Sequence, residues 1–219
     1  MNAKSFIKEG LATRDRENVF ELQFTLLLYL EEQAPLPKWL AEKIEKRAEE
    51  TGLRKGEIIA SAASNILAAT TLAKKANRQT LAEKLQIEYL RDIRGISVNK
   101  LPTNGEGSIR LRAGNFVYDS NKAYMGATKT IDATFTQDFI AFKYVNEAGG
   151  AQDNQISDVK DFLINAIRYT QKHDNLYTFS AIVDGKYIES KINELKVHTN
   201  KRVRVFTSDT YTTGRYMFA

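Results

Sequence analysis

Near residue 95 the hydrophobic period of this chain changes, and that change limits the possible folds more than any single motif does. Upstream, apolar residues recur at helical spacing. "NVFELQFTLLLYLEEQ" (18–33) sets Phe20, Leu22, Phe24, Leu27, Leu28 and Leu30 densely enough for a buried helix. "PLPKWLAEKIEKRAEETG" (35–52) has Pro37 near a helix start, Leu40, Ile44 and Ala48 on one face, and Gly52 as a C-terminal stop. "KGEIIASAASNILAATTLAKKA" (55–76) is rich in alanine and serine, so a neighbour can pack close to its backbone. "TLAEKLQIEYLRDIRG" (80–95) opens on a Thr80…Glu83 capping box and closes at Gly95.

Downstream the texture is that of strands. "SIRLRAG" (108–114), "TKTIDATF" (128–135), "DFIAFKYV" (138–145), "LYTFSAIVDGKYI" (176–188) and "RVRVFTSD" (202–209) alternate or cluster β-branched and aromatic residues. Asp184-Gly185 reads as a hairpin turn inside the fourth of these runs. One helix interrupts them, "QISDVKDFLINAIRYTQKH" (155–173), with Ile156, Val159, Phe162, Leu163, Ala166 and Ile167 on the 3.6 period. The expected fold is α/β (α+β): a helical region over 1–95, then a mixed central sheet flanked by helices over 96–219, the two forming one compact unit.

Composition narrows the function classes. Of 219 residues, 42% are apolar and 27% charged, which suits a globular chain rather than a disordered one. No apolar run reaches the length of a membrane span. The N-terminal "MNAKSFIKEG" lacks the apolar stretch of a secretory signal, and cysteine is absent, so a cytoplasmic location is expected. The two histidines, His173 and His198, fit no familiar zinc spacing. The net charge of +5 includes basic clusters at 53–57, 73–78 and 200–205. Clusters of that kind suit either a solvated face or a polyanionic partner, and the last one makes Lys201, Arg202 and Arg204 candidate DNA contacts.

The chemistry concentrates at 128–155. Asp132 interrupts a strand-like run, and only "TFTQD" separates that run from the next, so the two strands are expected to pair antiparallel. Residues two apart in a strand share a face, which puts Ala141 and Lys143 together and turns Phe142 the other way into packing. Asp132 on the neighbouring strand then meets that pair.

The segments "TID" (130–132), "IAFK" (140–143), "NEAGGAQDNQ" (146–155) and "FSAIVDGKY" (179–187) together resemble the catalytic core of type II restriction endonucleases of the PD-(D/E)xK superfamily. The resemblance covers about the last half of the chain. It implies a restriction-endonuclease-like core and sequence-specific, Mg²⁺-dependent cleavage of double-stranded DNA within a restriction–modification system. The implied catalytic positions are Asp132, Ala141 and Lys143. The implied metal ligands are Asp132, residue 141 and the carbonyl of Phe142, and hard oxygen donors of this kind suit Mg²⁺. Two symmetric active sites on a palindrome imply a homodimer.

One position departs from the pattern. The family has glutamate or aspartate where Ala141 stands, and alanine cannot bind a metal. The expected explanation is an engineered Glu→Ala substitution at 141 that leaves this chain inactive; the alternatives are a carboxylate supplied from elsewhere, with Asp138, Glu147 or Asp153 as candidates, or a naturally inactive protein or a false resemblance. Glu88, on a helix, is a possible additional carboxylate. Gly149-Gly150 is either a phosphate approach or a simple turn, and Gln152, Asn154 and Gln155 are either DNA contacts or helix caps. Tyr211 and Arg215 are further possible DNA contacts.

Two other functions remain open. Residues 36–67 look like the helix pair of a ribbon–helix–helix repressor, although Pro35 and Pro37 disfavour the strand such a repressor needs. A non-catalytic interaction domain would account for Ala141 but leaves Asp132 and Lys143 without a purpose.

Overall fold

The computed structural model describes residues 1–74, 78–118 and 128–212. It has a helical N-terminal region and a mixed central sheet, and it divides into two units. One comprises Lys8–Arg78; the other comprises Met1–Ile7 together with Gln79–Ala219. The border therefore falls at 78–79 and not at the expected 95–96.

The helical unit contains most of α1 (Ala3–Glu32), then α2 (Lys38–Thr51), α3 (Lys55–Ser64) and α4 (Ile66–Leu72). Gly52 ends α2 as expected, at φ 70°, and its N–H donates to the Ala48 carbonyl at 2.8 Å. The single helix expected over 55–76 is two. Asn65 breaks it, because its Oδ1 accepts from the Leu67 and Ala68 N–H groups and so caps α4. No strand precedes α2, so the groove-entering element of a ribbon–helix–helix repressor is missing from residues 33–37.

The expectation of a buried helix over 18–33 fails in part. Val19, Leu22 and Leu26 enter the core with Leu40, Ile44 and Ile58. Phe20, Phe24, Leu27 and Leu30 stay exposed. A helix buries one stripe against the short neighbours it has, and this segment carries more apolar residues than one stripe holds.

The other unit follows α5 (Arg78–Asp92) with β1 (Asn99–Lys100), a two-stranded ribbon of β2 (Ile109–Arg112) and β3 (Asn115–Tyr118), then β4 (Ala133–Phe135) and β5 (Asp138–Tyr144). Next come α6 (Gly150–Lys172), β6 (Thr178–Asp184), α7 (Lys186–Ser190), α8 (Ile192–Lys196) and β7 (Val203–Phe206). The main sheet has the order β1-β4-β5-β6-β7. Its β1–β4 and β4–β5 pairs are antiparallel, and its β5–β6 and β6–β7 pairs are parallel. The expected hairpin of the Asp132 and Lys143 strands is thus present, and α6 supplies the crossover that parallel β5 and β6 require.

Strand alternation sends β5 and β6 side chains to two cores. Phe179, Ala181 and Val183 meet Val159, Phe162 and Leu163 of α6. Ile140, Phe142 and Ile182 meet Leu90 of α5 and Tyr211. Burying a side chain such as Phe142 or Ile140 contributes roughly 1.5–3 kcal/mol.

The expected hairpin at Asp184-Gly185 is not formed. The strand ends at Asp184 and α7 begins at Lys186. Gly185 sits at φ 109°, and a Cβ there would lie 2.5 Å from the Val145 carbonyl oxygen. Its missing side chain serves a close backbone approach rather than a two-residue turn. Among the described residues no helix is long and apolar enough to cross a membrane.

Candidate active site

A cleft of about 270 Å³ opens at the end of the sheet where β4 begins and β5 runs on past it. Asp132, Ala141, Phe142 and Lys143 line it. The antiparallel register pairs Ala133 with Ile140, so Asp132 lies beside the next residues of β5. Its Oδ2 accepts from the Phe142 N–H at 2.7 Å, which fixes the carboxylate. Within a strand, the N–H and C=O of one residue point to the same edge. The Phe142 carbonyl therefore shares the Asp132 edge, beyond the last β4 pair. Its side chain is buried, so Phe142 lines the cleft through its backbone.

Lys143 leaves β5 on the same face as Ala141, as the alternation requires. Its Nζ lies 3.8 Å from Oε1 of Glu83, a residue of α5 that also lines the cleft. Glu83 Oε1 accepts from Gln79 Nε2 as well, at 2.6 Å. Gln86, one turn further along α5, ties the helix to the sheet: its Nε2 donates to the Lys143 carbonyl at 3.2 Å and to Asp184 Oδ2 at 2.5 Å. A carboxylate from a helix, that of Glu83, thus enters the cleft beside Lys143.

The charges in this cleft act on each other. Burial, reinforced by the negative charge of Glu83, pushes the Asp132 carboxyl up to about 7. The Phe142 N–H and the charges of Lys143 and Lys100 oppose that rise. Lys100, Arg110 and Lys129 add positive charge along the wall. Lys129 pairs with Asp158 of α6 at 2.5 Å. Among the described residues no cluster of three His, Cys, Asp or Glu side chains could enclose a metal. Two carboxylates and a carbonyl still form a hard-oxygen donor set that suits Mg²⁺, which keeps several waters and takes one or two carboxylates.

Several expected residues lie elsewhere. Glu88 pairs with Lys84 at 3.6 Å and does not line the cleft. It is five residues from Glu83, about 140° around the helix, so the two cannot serve one site. Asp138 is buried on the other side of the sheet, where Thr178, Ser180 and Tyr211 donate to it. Burial raises its pKa against those hydrogen bonds. Glu147 is exposed in the loop before α6, and Asp153 accepts from the Tyr187 hydroxyl at 2.7 Å. None of the three supplies the carboxylate absent at 141.

The basic cluster at 200–205 is mostly structural. Arg202 donates to the carbonyls of Tyr177, Thr170 and His173 and to Asn175 Oδ1, at 2.8 to 3.3 Å. Arg204 lies 3.7 Å from Asp138 and over the Phe206 ring. Both are committed to holding the fold, and only Lys201 is exposed. Tyr211 is fully buried and cannot contact DNA. Arg215 lies outside the described residues.

In the first turns of α6, Asn154 is exposed and Gln152 is half-buried beside Gly149. The Gln155 Oε1 is buried without a hydrogen-bond partner. None of them caps the helix, whose N-cap is Gly149 with no side-chain bond.

Glu83 escaped sequence reasoning because it fits a capping box with Thr80. The helix instead begins at Arg78, so Thr80 is already inside it. The available signal was the stripe Ala82, Leu85, Gln86, Tyr89 and Leu90, all buried, beside which Glu83 sits. Compared with known proteins, the chain has no significant match to a family model, a curated protein or a solved structure.

Proposed function

We propose that this chain is a Mg²⁺-dependent, site-specific endonuclease acting on double-stranded DNA, with a restriction-endonuclease-like core. One observation carries this proposal: Asp132, Glu83 and Lys143 converge in a single cleft whose wall also bears Lys100, Arg110 and Lys129. Carboxylates for a divalent cation, a lysine beside them and cations around them are what hydrolysis of a phosphodiester needs.

Asp132, Glu83 and the Phe142 carbonyl would hold Mg²⁺, and Glu83 takes the place that Ala141 leaves empty. Bound there, the metal supplies an activated water and offsets the charge that grows on the phosphate. Lys143 orients the nucleophile and places positive charge beside the phosphoryl oxygens. The Phe142 N–H keeps Asp132 aimed at the cleft. Lys100, Arg110 and Lys129 draw in the backbone of the nucleic acid. A homodimer, with one cleft for each strand of a palindrome, and a cytoplasmic location belong to the same proposal.

Cleavage of supercoiled plasmid tests it. The chain should nick or cut plasmid in Mg²⁺ and not in chelator, and Asp132→Asn and Lys143→Met should each abolish cutting while DNA binding persists. No DNA binding by the folded protein, or Mg²⁺-dependent cutting that survives both substitutions, would sink the proposal.

A further inference from the structure

The exposed apolar residues of α1 form a pattern that the cleft does not use. Arg16, Phe20, Phe24, Leu27 and Glu31 recur at steps of four, four, three and four. At about 100° per residue they fall within about 80° of one another, on one stripe. Phe20 is 60% exposed, Phe24 63% and Leu27 40%, and Leu30 beside them is 46% exposed. The inward side of the same helix is already satisfied by Val19, Leu22 and Leu26.

The stripe is basic at one end, apolar in the middle and acidic at the other. Positions 16 and 31 are equidistant from the point between residues 23 and 24, and so are positions 20 and 27. Run antiparallel against itself, the stripe sets Arg16 opposite Glu31 and Phe20 opposite Leu27. Phe24 falls beside the axis and meets its own copy. On the adjoining face Arg14 pairs with Glu17 and Glu21. Arg16, by contrast, donates only to the Thr13 hydroxyl, and neither it nor Glu31 has an ion-pair partner among the described residues.

We propose that α1 is a dimerisation surface whose occupant is the α1 of a second copy of this chain, docked antiparallel about a twofold axis. Such an interface is self-complementary, as a twofold demands. A membrane surface fits the stripe less well, because an interfacial helix carries Lys or Arg along its polar flanks and this one ends in Glu31 and Glu32. The four exposed apolar side chains offer roughly 400 Å² per protomer, about half the ~800 Å² that each partner buries in a standard interface. The flanking charged side chains extend that area, and a dimer with a dissociation constant on the order of micromolar is expected. This inference names the surface for the homodimer proposed above, and because neither metal nor DNA takes part, its failure is distinguishable from failure of the nuclease reading.

Sedimentation velocity of the full chain, without DNA or metal, tests it. A dimer should populate between about 10 and 100 μM. Phe24→Glu should weaken it by about 100-fold or more, with an unchanged melting temperature because the side chain lies outside the core. Arg16→Glu and Glu31→Arg should each weaken it about tenfold, and the double exchange should restore it. A chain that stays monomeric at 100 μM, a dimer that persists in Phe24→Glu, or a double exchange no tighter than the single ones overturns the proposal.

Discussion

Replacing Glu83 by glutamine takes one negative charge out of the cleft and keeps the shape of the side chain. Glu83 Oε1 lies 3.8 Å from Lys143 Nζ. At an effective dielectric near 20, that attraction is about 4 kcal/mol before desolvation is counted. The Glu83 side chain is 23% exposed and that of Lys143 12%, so they have given up most of their hydration to form the pair. The net contribution is then about 1 kcal/mol. Glu83 also repels Asp132 and helps raise its carboxyl to about 7. Losing the pair costs stability and losing the repulsion returns it, so metal-free stability should change by less than about 1 kcal/mol. Metal binding has no such cancellation, because one of two carboxylate ligands disappears. The Mg²⁺ concentration for half-maximal cleavage should rise about 10- to 100-fold, and single-turnover cleavage should fall by about 10²–10³. Single-turnover plasmid cleavage across a Mg²⁺ titration, with a thermal melt of each variant, measures both. Ala141→Glu added to Glu83→Gln should recover cleavage, because residue 141 lines the same cleft on the same strand face as Lys143. A Glu83→Gln protein that cuts at the parent rate with the parent Mg²⁺ dependence refutes the role of Glu83. So does an inactive parent chain that Ala141→Glu alone switches on, which would mark position 141 as the true site of the missing carboxylate.

Four further outcomes follow from the structure. The Asp132 carboxyl holds its proton to about pH 7 when folded but loses it near pH 4 when unfolded. Metal-free stability therefore falls as pH rises from about 4 to 7, by up to ~4 kcal/mol; Asp132→Asn should flatten that fall, stabilising the protein at pH 8 and hardly at pH 4, as denaturant titrations at the two pH values will show. Arg202→Met should cost about 2–4 kcal/mol in chemical denaturation while leaving the salt dependence of DNA binding unchanged. Lys129→Gln should instead reduce the slope of log affinity against log salt by about 1. Gly185→Ala places a methyl group 2.5 Å from the Val145 carbonyl oxygen at φ 109°, and a loss of about 3 kcal/mol in a denaturant titration is expected; a neutral result would show that the β5–α7 contact is loose.

What local sequence determined here is what local geometry controls. The period of two puts Ala141 and Lys143 on one face of β5 and Phe142 on the other, and the short link before β5 makes the Asp132 strand its antiparallel neighbour. The period of 3.6 places α2 and most of α6, which begins at Gly150, five residues earlier than the sequence pattern suggests, and Gly52 stops the first of them. These features depend on residues only a few positions apart. Tertiary structure decided the rest. Glu83 reaches Lys143 across some 60 positions of chain, and nothing near Glu83 distinguishes it from a capping residue or from Glu88 one helical face away. Arg202 looks like a phosphate ligand in sequence, yet the carbonyls at the end of α6, the Tyr177 carbonyl in the loop before β6 and the Asn175 side chain take up its guanidinium. Phe20 and Phe24 look like core and are not, because how much of a helix is covered depends on which neighbours pack against it, and periodicity reveals only which residues share a side.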